Sequence, residues 1–241
     1  MVPYTEPPII NIDLPEFRDA GITVSVLRED LNHPDVSGNK WWKLAPYLTR
    51  ARSEKRGLLT FAGAYSNHLY SIAAAAHVLK VPATAIIRGG PFDAPSETLR
   101  FAESKGVKLI YVSREDYRKK EAEQIQTVIH GAGVDDIIVP EGGSGPEGIS
   151  SCSEWGRKIL RLYDFSIACL PVGTAGTISG IIKGFDGNRK VIGFSSLRDG
   201  GSLKENLIQQ GCGSYSNWDI IGDYHFGGYG KASTGLLNYM R

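Results

Sequence analysis

The chain of 241 residues has few of the features that mark whole classes of protein. It holds only three cysteines, Cys152, Cys169 and Cys212, widely spaced and without a Cys-x-x-Cys pair. Its five histidines are scattered, and no His-Glu-x-x-His occurs. A disulfide framework and a structural zinc site are therefore not expected, and a reducing cytoplasm is the expected location. No Asn-x-Ser/Thr sequon is present. There is no charge excess either: 27 Lys and Arg against 26 Asp and Glu leave +1. Bulk electrostatic attraction to nucleic acid or to an anionic membrane is thus not expected. No apolar run approaches a membrane span. The first twenty residues carry Glu6, Asp13, Glu16 and Arg18 and do not read as a signal peptide. A Walker A sequence and a Gly-x-Ser-x-Gly elbow are both missing, which removes support for the common nucleoside-triphosphatase and serine-hydrolase readings.

What remains is 41% hydrophobic and 22% charged, enough to bury a sizeable core as one large domain or two modest ones. Short β-branched runs alternate with amphipathic stretches. Strands are predicted at Ile22–Leu27, Leu58–Ala62, Ala83–Arg88, Lys108–Ser113, Asp136–Val139, Phe165–Leu170 and Lys190–Ser195. Helices are predicted at Asn39 to about Arg56, Ser66–Leu79, Ser96–Lys105, about Glu115 to His130, Ser150–Leu162, Thr177–Lys183 and Ser202–Gln210. Ser96 is a candidate N-cap, and Gly106 and Gly211 are candidate stops. This β-α alternation predicts an α/β fold with parallel sheet and helices on both faces. Ligands of such folds sit in the turns at the carboxyl ends of strands.

Five stretches bear on chemistry. Gly143-Ser-Gly-Pro-Glu-Gly148 satisfies Gly-x-Gly-x-x-Gly, but Pro146 removes an N–H and Glu147 adds negative charge, so it reads as a Gly-rich strand-to-helix turn. In Pro171-Val-Gly-Thr-Ala-Gly-Thr177, small residues let N–H groups approach a ligand at a helix start, and Thr174 and Thr177 add hydroxyls. That suits a phosphate monoester held without lysine or metal; the alternative is an ordinary turn whose threonines cap the helix. In Ser37-Gly-Asn39-Lys40-Trp-Trp-Lys43-Leu44, Lys40 and Lys43 share a helix face. Two ammonium groups in mutual reach depress each other's pKa, which is how a lysine becomes a free amine; the alternative is a solvated surface pair. Trp41 and Trp42 favour a core or a pocket nearby. Gly63-Ala-Tyr-Ser66-Asn67-His68 ends a strand and opens a helix, where Ser66 is either an N-cap or a ligand contact. Asp223-Tyr-His-Phe-Gly-Gly-Tyr229-Gly-Lys231 is either a packing loop or the source of a tyrosine acid or base.

A lysine near a pocket, a strand-end Ser-Asn and a metal-free phosphate turn together suit a pyridoxal 5′-phosphate enzyme. The blocks Ser-Gly-Asn39-Lys40-x-x-Lys43-Leu44, Phe-Ala-Gly-Ala-Tyr-Ser66-Asn67-His68, Val-Gly-Thr-Ala-Gly-Thr177 and Tyr-His-Phe-Gly-Gly-Tyr229-Gly resemble the 1-aminocyclopropane-1-carboxylate deaminase / D-cysteine desulfhydrase family. That family belongs to the tryptophan-synthase-β-like group of pyridoxal-phosphate enzymes. The resemblance runs in order from about Pro8 onward. It implies that Lys40 carries the cofactor and moves protons, with Lys43 assisting at the substrate. It implies that Ser66 contacts the substrate, Asn67 the pyridoxal oxygen and His68 the substrate carboxylate. Gly173, Thr174, Ala175, Gly176 and Thr177 would cradle the phosphate, and Tyr229 would face the substrate. The implied fold has two α/β domains with parallel or mixed twisted sheets: a large cofactor domain from 1–52 and 152–241, and a small one from 53–151. The cofactor is expected in the cleft between them.

The implied activity is a hydrolase or lyase reaction of amino-acid metabolism on a small amino acid. It would be ring opening of 1-aminocyclopropane-1-carboxylate to 2-oxobutanoate and ammonia, or release of sulfide, ammonia and pyruvate from D-cysteine. A homodimer is the expected assembly, with no metal. Trp41 and Trp42 replace the smaller or charged residues usual in the motif. The family's further Asp-Pro-x-Tyr-x-Gly-Lys block does not follow Tyr229, so a shortened chain is expected, active or only cofactor-binding.

Overall fold

A computed structural model describes residues 2–91, 94–118, 131, 135–198, 202–228 and 232–240. By internal contacts it divides into Met1–Gly143 and Ser144–Arg241.

In the first unit, β1 (Ile9–Ile12) pairs antiparallel with β2 (Val24–Leu27), Ile9 opposite Leu27. A short helix, α1 (Pro15–Asp19), joins them. β1 escapes a reading by hydrophobic pattern because Ile9, Ile10 and Asn11 are all exposed, with no alternation of a buried face. Helix α2 (Asn39–Glu54) follows. Then come β3 (Leu58–Ala62), α3 (Asn67–Leu79), β4 (Ala83–Arg88), α4 (Glu97–Ser104), β5 (Lys108–Val112), α5 (Arg114–Arg118) and β6 (Ile137–Val139). The predicted continuation of α5 to His130 lies outside the described residues. β3 to β6 form a parallel sheet in the order β5-β4-β3-β6, with Leu58 opposite both Ala83 and Ile137.

All five residues of β3 are buried, and their alternation sorts them between two faces. Leu58 and Ala62 join Leu44, Leu48, Leu69 and Ile72 of α2 and α3. Leu59 and Phe61 meet Ile86 and Tyr117 on the other face. The run Ala73–Ala76 on α3 is buried and brings that helix close. The anticipated Ser66 and Ser96 caps form: each Oγ accepts from the backbone N–H three residues on, of Leu69 and of Leu99.

The second unit contains α6 (Pro146–Leu162), β7 (Ile167–Val172), α7 (Gly176–Phe185), β8 (Lys190–Ser195), α8 (Ser202–Leu207), β9 (Trp218–Ile221) and α9 (Thr234–Tyr239). Its three strands are parallel in the order β7-β8-β9. Helix α6 starts four residues before the expected Ser150, because Pro146 sits in its first turn with a pre-set φ. Gly148 is therefore inside a helix, and the literal Gly-x-Gly-x-x-Gly is not a single loop. β9 was not anticipated; Trp218-Asp-Ile-Ile is a four-residue run that pairs only along β8. Helices α6 and α7 approach closely, and a Cβ at Gly180 would overlap Cys152. Among the described residues no helix is long and apolar enough to cross a membrane.

Candidate functional site

The start of α2 is held by tertiary contacts. Gly38 precedes it at φ +65°, and its N–H donates to Glu29 O (2.9 Å) and Asn32 Oδ1 (3.1 Å). The Glu29 carboxylate is buried at 8% exposure. It accepts from Asn32 Nδ2 (2.7 Å), Trp42 Nε1 (3.3 Å) and the Tyr4 hydroxyl (3.3 Å). Three donors satisfy a carboxylate that burial would otherwise penalise. Trp42 is thus a bracing residue of the helix start. Trp41 lies on another stripe, packs on Tyr4 at 4.6 Å between centroids, and lines an apolar cavity of about 410 Å³ with Val2, Val36, Ala45, Leu48 and Leu79. The expectation that these tryptophans face core or cavity holds.

The first turn of α2 presents the two lysines differently. Lys43 is fully buried, at 0% exposure, which removes the solvated-pair reading for that residue. Lys40 is half-buried and its Nζ donates to Gly142 O at 3.3 Å. The acceptor belongs to the turn Glu141–Gly143 after β6, where Gly142 and Gly143 adopt φ +69° and +66°. Gly143 lies against Lys43, so that a Cβ there would stand 3.1 Å from the lysine's own Cβ. Gly143 begins the Gly-rich strand-to-helix turn noted in the sequence, but the approach of this turn to the two lysines was not anticipated.

At the carboxyl end of β3, Ser66 caps α3, Asn67 is exposed at the first helical position, and His68 is buried at 2% exposure. The His68 ring Nε2 lies 2.9 Å from Thr60 Oγ1, which donates to Val139 O at 2.9 Å. Burial, with the positive charges of Lys40 and Lys43, holds the imidazole well below the ordinary histidine pKa. Thus four segments bring Lys40, Lys43, His68, Thr60 and the Glu141–Gly143 turn to the carboxyl edge of one sheet. Nearby, Arg88 at the end of β4 lies 5.6 Å over the Tyr117 ring. Burial and Glu141 push the Tyr117 hydroxyl well above the ordinary phenol range.

In the second unit, Gly173 and Thr174 are exposed while Ala175, Gly176 and Thr177 are buried. Ala175 occupies the cap position of α7 and its side chain gives no cap hydrogen bond. Thr174 Oγ1 lies 2.7 Å from Ser144 Oγ, and a Cβ at Gly176 would come within 2.8 Å of that same oxygen. The start of this ten-residue helix offers backbone N–H groups, small residues beside them and two hydroxyls, groups of the kind that can bind an anion. These donors fit a phosphate monoester, and the lysine cluster fits the aldehyde end of a pyridoxal group. Tyr229 lies outside the described residues. Among the described residues no three His, Cys, Asp or Glu side chains converge as a metal site.

The sequence pattern of the family described as pyridoxal-phosphate dependent enzyme matches residues 4–208. A Pyrococcus abyssi (strain GE5 / Orsay) protein, provisionally assigned as a 1-aminocyclopropane-1-carboxylate deaminase, is 29% identical over 239 residues, covering 89% of this chain and 70% of its own. A Pyrococcus horikoshii protein with the same provisional assignment is 25% identical over 249 residues, covering 93% and 73%. Among solved structures, an ACC deaminase homologue superposes with a TM-score of 0.75 at 25% identity, covering 95% of this chain and 74% of that one. Maize serine racemase shares the fold at a TM-score of 0.68 and 12% identity, covering 91% and 72%. With a family pattern spanning most of its length and a tryptophan-synthase-β-like fold, the chain belongs to the pyridoxal-phosphate dependent enzymes, on their ACC deaminase-like branch.

Proposed function

We propose that the protein is a deaminase of small amino acids, opening 1-aminocyclopropane-1-carboxylate with water to 2-oxobutanoate and ammonia. The observation that carries this is the lysine pair on one helix turn, Lys43 fully buried and Lys40 half-buried with its Nζ on the Gly142 carbonyl. When bound, pyridoxal phosphate supplies an electron sink for charge developing at the substrate carbon. Lys40 is the residue to which it attaches, and its Nζ takes and returns protons there. Lys43 is the second amine, on the same helix turn and fully buried. Ser66 and Asn67 orient substrate and ring oxygen from the α3 start. His68 serves the substrate end of the same turn. Gly173, Thr174, Ala175, Gly176 and Thr177 bind the phosphate. A role for Tyr229 at the substrate rests on likeness to the family alone.

The two provisional deaminase relatives support the ring-opening reading; D-cysteine desulfhydrase is the second reading, on the family likeness. A homodimer and a cytoplasmic location go with either. Residues 53–151 are proposed as the small domain, supported by a four-stranded sheet whose strands all lie within them. The test is product analysis on the purified protein supplied with pyridoxal phosphate. Ammonia and 2-oxobutanoate from 1-aminocyclopropane-1-carboxylate are expected. Sulfide from D-cysteine without ring opening would favour the second reading, and neither product would contradict both.

A further inference from the structure

Thr60 Oγ1 stands 2.9 Å from both Val139 O and His68 Nε2. A hydroxyl has one hydrogen, and a carbonyl oxygen only accepts. That hydrogen therefore goes to Val139, and Thr60 meets His68 with a lone pair. Nε2 must then carry the ring proton. In the neutral ring Nδ1 is a bare lone pair. It is buried, and it has no hydrogen-bond partner among the described residues. Buried acceptors are normally met, so an unmet one beside a candidate site calls for a donor that arrives. Lys40 and Lys43, both from α2, are the charges that bear on this ring. The groups of β3 and β6 that bear on it, Thr60 and the Val139 carbonyl, are neutral.

We propose that His68 is a positioning residue for the lysine pair. Thr60 fixes its ring as the Nε2–H tautomer, so that Nδ1 accepts a hydrogen bond from the Lys40 ammonium when that side chain leaves the Gly142 carbonyl. This rests on the reading above that Lys40 is the working amine, and it gives the ring a task other than touching the substrate carboxylate. The proton stays on the lysine; His68 offers a second resting place and stabilises the ammonium form. The low basicity of the buried ring keeps Nδ1 available as an acceptor instead of a donor.

The test is ¹⁵N–¹H correlation of histidine-labelled full-length protein, with the His68 signals assigned by their loss in His68→Asn. The expected result is a neutral ring protonated at Nε2 from about pH 8 down to about pH 6. Thr60→Val raises the Nδ1–H form and Thr60→Ser does not. A second arm follows, in the full-length protein before cofactor is added, the pH midpoint of Lys40 acylation by a limiting amine reagent, read by peptide mass mapping. Loss of the acceptor in His68→Leu favours the free amine, so the midpoint falls by about one pH unit. His68→Asn, which keeps an oxygen in the Nδ1 place, restores at least half of that shift. A wild-type ring protonated at Nδ1, or a Leu variant with an unmoved midpoint, overturns the inference. Normal turnover with the wrong tautomer sinks this inference alone. Correct tautomer and midpoint without turnover would leave it standing and contradict the deaminase reading.

Discussion

The lysine end and the phosphate turn are built in opposite ways. At the lysine end the important atoms are side-chain atoms from distant segments: Lys40 and Lys43 of α2, Thr60 of β3, His68 of α3 and the Gly142 carbonyl after β6. Their placement depends on a second set of contacts, the Glu29, Asn32 and Trp42 hydrogen bonds that fix the helix start. At the turn proposed to hold the phosphate the residues are consecutive, 173–177, at the start of α7. The first arrangement tunes proton affinity, because burial and neighbouring charge act on titratable groups. The second can only hold an anion. One end should therefore govern rate and the other affinity.

Lys40→Ala breaks that division most sharply. Its expected effect is a loss of turnover of about 10²–10⁴-fold or more, measured as ammonia release, with pyridoxal-phosphate affinity retained through the phosphate turn. Next comes Lys43→Met, which replaces a buried cation by an apolar chain of similar length. Turnover should fall about 10²-fold, measured as ammonia release. Gly176→Val tests the other end. Its added carbons would meet the Ser144 hydroxyl, where a Cβ already comes within 2.8 Å. The dissociation constant of the cofactor should rise about tenfold or more, equivalent to about 1.4 kcal/mol, with little change in turnover at saturating cofactor. A fall in turnover with unchanged affinity would erase the distinction between the ends.

Smaller in effect is the pH dependence of folding. The His68 pKa is depressed in the folded state, so the unfolded chain binds the proton that the folded ring refuses. Stability from this group is present above the ordinary value of 6.5 and is lost as pH falls below it, until the folded ring itself titrates. Denaturant unfolding of wild type and His68→Leu from about pH 8 down to about pH 5 should show a steeper acid decline in wild type. Parallel declines would mean that the ring is not held neutral.

The same contrast explains which features were legible in the sequence. Consecutive features were: the Gly173–Thr177 turn, the Ser66 and Ser96 caps, and strands β3, β4 and β8 with their residue limits. Their causes lie within a few residues of chain. The Lys40–Lys43 spacing was equally visible, because i and i+3 share a helix face. The burial of Lys43 was not, since it depends on Gly143, a hundred residues later, lying against it. The Thr60–His68 contact and the Gly142 carbonyl under Lys40 were hidden for the same reason. β1 and β9 were missed because each draws its order from a partner strand and shows little pattern of its own. Helix α6 was read late because Pro146 was placed in a Gly-rich turn, where it opens the helix.

The most direct measurement is borohydride reduction of the protein saturated with pyridoxal phosphate, followed by peptide mass mapping. The label is expected on Lys40, absent from every lysine in Lys40→Ala, and kept on Lys40 in Gly176→Val at raised cofactor concentration. A label on Lys43 or on any other lysine, in wild type or in Lys40→Ala, would contradict the assignment of Lys40 as the residue that carries the cofactor.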